Sequence, residues 1–235
     1  MRRSNLRPRS ELLSRALLLL TVTACLAFTA DLFWGFLSTE RMGAPSVSRM
    51  IADNYPLDAF LAAQLFLYGI SLIGITVVQL SYDHSGRERA LADFYDGLGL
   101  LAVPIGAGEF LFLTLVCVVS VDEDEDGHYI VAGLGVILGW VHGTFMFVRR
   151  CVRYECSSNA CGESVVLIYN GCVLVLLFAM IVAFGVLVDL NEHDYSELVI
   201  GNVEYAIFWL LILKDTFQIV DAFELGPRPK TQKET

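Results

Sequence analysis

The sequence predicts an all-α polytopic membrane protein, a bundle of six transmembrane helices with its N- and C-termini both cytosolic. Three observations predict it: six long apolar blocks, charges confined to the short gaps between them, and arginines gathered in alternate gaps. Of the 235 residues, 55% are hydrophobic and only 18% charged, and the mean hydropathy is +0.59. Soluble domains carry about 25% charged residues, and their apolar residues come in broken, periodic runs. The hydrocarbon core of a bilayer is about 30 Å thick, so a helix needs roughly 20 apolar residues to cross it. Within lipid every backbone donor and acceptor must be satisfied inside its own segment, so such blocks are expected to be helices. A soluble helical bundle is the competing class, and the unbroken apolar runs argue against it.

The first block, Ala16 to Leu37, follows a basic segment and holds small residues between Ala24 and Ala30. That combination also suits a cleaved signal peptide. Against cleavage, the apolar run continues past Asp31 through Leu32-Phe33-Trp34-Gly35-Phe36-Leu37, long enough to span. The second block runs from Leu57 to Leu80. The third, Gly97 to Val121, contains Pro104, which cannot donate to the carbonyl of Leu100, so a kink is expected just before Gly106, Gly108 and Glu109. The fourth, Tyr129 to Val148, carries Gly135, Gly139 and Gly143, a stripe that lets another helix approach closely. The fifth spans Val165 to Val188, and the sixth Leu198 to about Val220. Short connections make sequence neighbours antiparallel. No composition break divides the chain, so residues 1–235 form one membrane domain, with a basic segment 1–15 and a tail 222–235.

Lysine and arginine bias in short loops sets orientation. Arg2, Arg3, Arg7, Arg9 and Arg15 precede the first block, Arg87 and Arg89 lie in the second gap, and Arg149, Arg150 and Arg153 lie in the fourth. Arg228, Lys230 and Lys233 follow the sixth block, whereas the opposite side holds only Arg41 and Arg49. The asymmetry places both ends, the second gap and the fourth gap in the cytosol. Cysteines agree: Cys25, Cys117 and Cys172 lie within blocks, and Cys151, Cys156 and Cys161 lie in or beside the cytosolic fourth gap. The oxidising side is therefore offered no disulfide. Their spacing and the lack of a nearby histidine do not suit zinc, and Cys151 beside the membrane suits S-palmitoylation.

The net charge of -10 owes much to Asp122-Glu123-Asp124-Glu125-Asp126. That run lacks the glycine and carbonyl spacing of a calcium loop and reads as a solvated face. No metal and no cofactor is expected. No basic patch with interleaved aromatics appears outside the blocks, which excludes nucleic acid. Soluble-enzyme motifs are absent, including G-x-S-x-G, H-E-x-x-H and the Walker loop.

An ionisable group inside lipid is costly and marks function by default. Asp31, Glu109, His142 and Glu204 fall inside blocks. Counting at ~1.5 Å per residue puts Glu109 about 18 Å and His142 roughly 20 Å from the far side, a similar depth on antiparallel neighbours. Such a pair can share a proton in catalysis, or simply satisfy each other. Asp31 and Glu204 lie roughly 9 Å in, a second polar layer. Lys214 is expected to snorkel to the cytosolic headgroups and, as a sequence neighbour of Asp215, to point away from it. His128 closes the acidic gap at the membrane border.

Several stretches resemble the family of post-GPI-attachment-to-proteins factor 2, within the wider Frag/DRAM/Sfk superfamily. Pro45-Ser46-Val47-Ser48 with Pro56 beyond it is similar to a Pro-Ser-x-Ser element followed by a second proline. Glu109, the run to Val118-Val119-Ser120, the acidic stretch and His128 follow the family's order, His142 precedes an apolar run ending at Arg149, and Asn202-Val203-Glu204-Tyr205 resembles its Glu-Tyr helix. The chain departs from the family where Leu211 and Asp215 stand in place of an Asn and a His.

The resemblance implies a multi-pass protein of the Golgi apparatus or endoplasmic reticulum. It implies a part in GPI-anchor lipid remodelling by acyl or ceramide exchange, either catalytic or accessory, with membrane lipids and GPI-anchored proteins as partners. Candidate catalytic residues are Glu109, His142, Glu204 and His128, and candidate lipid contacts are Pro45, Ser46, Ser48, Pro56 and Asp31. A non-enzymatic scaffold or an autophagy or lysosome modulator of the same superfamily is the alternative. A transporter is disfavoured by the lack of an evident inverted repeat.

Overall fold

Each apolar block becomes one helix: α1 (Arg7–Ser38), α2 (Leu57–Tyr82), α3 (Arg89–Val116), α4 (Glu125–Glu155), α5 (Ala160–Leu190) and α6 (Glu197–Glu224). The structure is a computed structural model, and it describes residues 7–38, 47–48, 57–82, 89–119, 123–155, 160–190 and 197–224. Pro45, Ser46 and Pro56 lie outside the described residues. Among those described there is no strand.

Five helices contain stretches long and apolar enough to cross a membrane: Leu12–Trp34, Asp58–Val78, Asp96–Val116, Glu125–Val152 and Ser164–Leu187. The protein is a multi-pass membrane protein. At 28 residues α6 is long enough too, about 42 Å at 1.5 Å per residue. It carries Glu204, Lys214 and Asp215, all buried, more charge than a spanning stretch usually holds. Sequence neighbours pack as successive hairpins, and α6 closes the bundle by touching α1, α2 and α4 as well as α5.

The bundle is greasy outside and polar within. Leu19 and Trp34 are each 70% exposed and Val175 69%, whereas Glu109 is 0% and His142 and Asp215 are 2% exposed. In water this arrangement would leave the apolar face unburied, while in lipid it puts the costly groups where they can meet partners. One core cluster joins Phe28 and Leu32 of α1, Leu61 and Leu65 of α2, Leu177 of α5 and Leu211 of α6. A second packs Ala24, Tyr68, Leu72 and Phe110 together, with the Tyr68 ring edge-on to Phe110 at 5.4 Å between centroids.

Two helix ends differ from expectation, and both matter for the site. α3 stops at Val116 rather than Val121, and residues 117–119 turn back through Cys117 N–H to the Thr114 carbonyl and Val119 N–H to the Leu115 carbonyl. α4 starts at Glu125 rather than Tyr129 because part of the acidic run is a capping device. The Asp124 carboxylate accepts the Gly127 N–H at 3.0 Å, and Glu125 and Asp126 occupy the first turn. There their charge meets the positive end of the helix dipole. His128 is thus a helical residue, not a loop residue. Pro104 sits inside a continuous α3 on the exposed face.

Candidate functional site

Two clusters of buried polar side chains lie at different levels of the bundle. The inner one is centred on Glu109 of α3 and His142 of α4. His142 Nδ1–H donates to Glu109 Oε2 at 2.7 Å. The other oxygen, Oε1, lies 2.8 Å from Lys214 Nζ, and the same ammonium lies 2.5 Å from Asp215 Oδ1. Tyr68 O–H donates to Asp215 Oδ2 at 3.3 Å, and the Gln218 amide lies 3.3 Å from His142 Nε2. Four helices therefore contribute to one connected network.

Lys214 does not snorkel, and it does not point away from Asp215. Its side chain is fully buried between two carboxylates. The flexible stem lets the ammonium fold back onto its own sequence neighbour, and two anions in a low-dielectric interior hold it more strongly than distant headgroups do. The glycine stripe has a matching role. A Cβ on Gly139 would stand 2.8 Å from Glu109 Oε1, one on Gly143 would stand 2.8 Å from Lys214 Cδ, and one on Gly106 would stand 3.0 Å from the His142 ring. The missing side chains make room for the polar network as well as for the neighbouring helix.

Glu109, His142 and Asp215 offer donor atoms within 4.8 Å of one another, a spacing that a metal ion accepts. Lys214 already takes one oxygen from each carboxylate, so the chain supplies its own cation at that point. The adjoining cavity, lined by Phe28, Leu65, Tyr68, Glu109 and Asp215, measures about 20 Å³, room for about one water and none for a lipid chain.

The outer cluster unites three segments far apart in sequence. Ser48 N–H donates to Glu204 Oε2 at 3.3 Å, and Ser48 Oγ lies 3.4 Å from both carboxylate oxygens. On its other side Ser48 Oγ lies 2.8 Å from His128 Nε2. His128 Nδ1 lies 2.6 Å from the Val119 carbonyl oxygen, which is available because α3 has already ended. All three side chains are buried, Ser48 at 7%, Glu204 at 6% and His128 at 1% exposure. Asp31 stands apart from both clusters, and its carboxylate accepts the Gln64 amide at 2.5 Å.

The sequence matches the Frag1/DRAM/Sfk1/Cwh43P N-terminal domain over residues 11–223. The chain belongs to this family. No curated protein and no solved structure gives a significant match. Within this Frag1-family chain, the match covers all six helices and both clusters almost end to end.

Of the candidate residues, the structure pairs Glu109 with His142 and brings Ser48, His128 and Glu204 together. It leaves Asp31 with Gln64. Sequence reasoning missed Lys214, Asp215, Tyr68 and Gln218 as members of the inner cluster, and the Val119 carbonyl in the outer one. For Lys214 and Asp215 a signal was present: two charges side by side in an apolar helix are more economically explained by a partner within the bundle than by escape from it.

Proposed function

We propose that this Frag1-family protein takes part in remodelling the lipid of GPI-anchored proteins, by exchange of an acyl chain, in the membrane of the Golgi apparatus or endoplasmic reticulum. Both chain ends lie in the cytosol in this reading, and the ends of α3 and α4 that carry Val119 and His128 face the lumen. The arginine distribution supports that orientation. The single observation that carries the proposal is the Ser48–His128–Glu204 cluster. It gathers a hydroxyl, an imidazole and a carboxylate near the helix ends, and in this reading the glycerol and ester groups of a lipid reach that level from the lumenal side. The inner cluster has no room for a lipid and satisfies its own charges, which suits a brace holding the helices that carry the outer one.

Lipid mass spectrometry on GPI anchors from cells with and without the protein tests this. The deletion is expected to change the anchor's acyl composition. Wild-type chain restores it, and His128→Ala, made to the same level in the same membrane, does not. Unaltered anchor lipid in the deletion would end the proposal. Full restoration by His128→Ala and by Glu204→Gln, with partner binding through the cytosolic loops intact, would point instead to the scaffold reading.

A further inference from the structure

A carbonyl oxygen can only accept, so the 2.6 Å contact between Val119 O and His128 Nδ1 requires a proton on Nδ1. In the neutral ring Nε2 is then an acceptor. The group facing it at 2.8 Å is Ser48 Oγ, whose single proton has two acceptors within reach, that nitrogen and the Glu204 carboxylate, with the shorter contact at the ring. The competing acceptor, Glu204, lies farther away at 3.4 Å. A hydroxyl donating to an imidazole Nε2, with Nδ1–H held by a fixed acceptor, is the arrangement that activates a serine towards a carbonyl carbon. Here a backbone carbonyl at a helix end takes the orienting position that a carboxylate holds in a three-residue triad.

We infer that Ser48 is the nucleophile of an acyl transfer on a glycerolipid ester, with His128 as its general base and the Val119 carbonyl orienting that base. This rests on the acyl-exchange reading above and names its chemistry. Ser48 Oγ passes its proton to His128 Nε2 and bonds to the ester carbonyl carbon. The tetrahedral intermediate collapses, the bond from that carbon to the glycerol oxygen breaks, and the glycerol oxygen takes the proton from Nε2. An acyl-serine and a lysolipid result. In the second half the hydroxyl of an acceptor lysolipid gives its proton to Nε2 and attacks the acyl-serine carbonyl, and Ser48 Oγ leaves with the proton restored. No oxidant or energy source is needed. Glu204 is a positioning residue: it accepts the Ser48 N–H and so fixes the hydroxyl against the ring.

The test is labelling of the full chain in native membranes with a fluorophosphonate probe, followed by peptide mass spectrometry. The wild-type protein is expected to carry the probe on Ser48. Ser48→Ala abolishes labelling, and His128→Gln lowers its rate by about a hundredfold or more, with thermal unfolding checked for each. Labelling that persists in Ser48→Ala, or a wild type that stays unlabelled while a serine hydrolase in the same membranes reacts, would overturn the inference. So would unchanged labelling in a folded His128→Gln. A purely structural Ser48–His128 bond leaves Ser48 unactivated and the wild type unlabelled. The cell assay separates this from the broader proposal. Altered anchor lipid that Ser48→Ala restores sinks the nucleophile and leaves the remodelling role standing. Normal anchor lipid with a labelled Ser48 does the reverse.

Discussion

Replacing Lys214 by Met keeps an unbranched side chain of similar length and deletes the ammonium. In the native chain that ammonium lies 2.8 Å from Glu109 Oε1 and 2.5 Å from Asp215 Oδ1, with no exposure to the outside. At an effective dielectric of about 20, each contact is worth roughly 6 kcal/mol of gross attraction. Desolvation of three charged groups offsets most of that. Removing one member is different from never having built the network, because two buried carboxylates are then left, among the described residues, with His142 and Tyr68 as hydrogen-bond partners. Breaking a buried pair in this way costs about 3–5 kcal/mol. For a chain of this size that corresponds to roughly 6–20 °C in melting temperature, at ~2–4 °C per kcal/mol. The assay is thermal unfolding of the full chain in lipid nanodiscs. Adding Glu109→Gln and Asp215→Asn to Lys214→Met neutralises the remaining anions and is expected to recover part of the loss. A Lys214→Met protein that melts within about 2 °C of wild type, well under the shift expected from a broken buried pair, would refute the buried network and return Lys214 to the headgroups.

Three further outcomes follow from the geometry. Gly139→Ala forces a methyl against Glu109 and Leu211 and is expected to cost about 1–3 kcal/mol in the same unfolding assay. Gly133→Ala on the same helix meets open space and is expected to be neutral or stabilising, so equal losses at the two positions would undo the close-approach argument. Asp124→Ala removes the acceptor for the Gly127 N–H at the start of α4, one residue before His128, and is expected to slow fluorophosphonate labelling of Ser48; labelling at the wild-type rate would show that the cap does not position the base. A cysteine placed at Glu123, in a chain whose native cysteines are replaced, is expected to react with an impermeant thiol reagent only from the lumenal side. Reaction from the cytosol would reverse the proposed orientation and end the proposal of a lumenal site.

The helices and the Glu109–His142 pairing were legible because both depend on length. Apolar runs count out the membrane, and equal depth on antiparallel neighbours brings two side chains to one level. The members of the inner cluster on α6 were not legible by that route. Depth says how far along a helix Lys214 lies, but not which way a flexible stem bends, and that is decided by where the carboxylates of other helices stand. The outer cluster was visible as a set of residue types near one border, with Ser48, His128 and Glu204 all singled out. Its chemistry was hidden in a backbone atom. The Val119 carbonyl orients His128 only because α3 ends at Val116, and helix ends are where periodicity carries the least information. The acidic run is exposed as read over residues 123–126, and its second role as a helix cap was hidden for a related reason, since solvated charge and helix cap share one composition and differ only in where the first turn begins.

The two clusters meet on α6, and this gives the buried charges a purpose beyond their own satisfaction. Glu204 and Asp215 are eleven residues apart, about 16 Å along the helix and within roughly 20° of the same face. One helix face therefore reaches Ser48 at one level and Tyr68 at the other. Apolar contacts hold a membrane helix poorly in register, because leucine packs against lipid nearly as well as against leucine. A slip of one residue would shift α6 by ~1.5 Å and turn it by ~100°, enough to carry Glu204 away from Ser48. Ion pairs tolerate no such slip, and buried polar groups fix register in other helical assemblies. The combination Ser48→Cys with Glu204→Cys, in a chain otherwise free of cysteine, is therefore expected to cross-link readily when Lys214 is present. Cross-linking should slow markedly once Lys214→Met is added in a chain that still folds. Equal cross-linking rates would mean that the inner charges stabilise the bundle without setting the position of α6, and the Ser48 site would owe its geometry to the outer contacts alone.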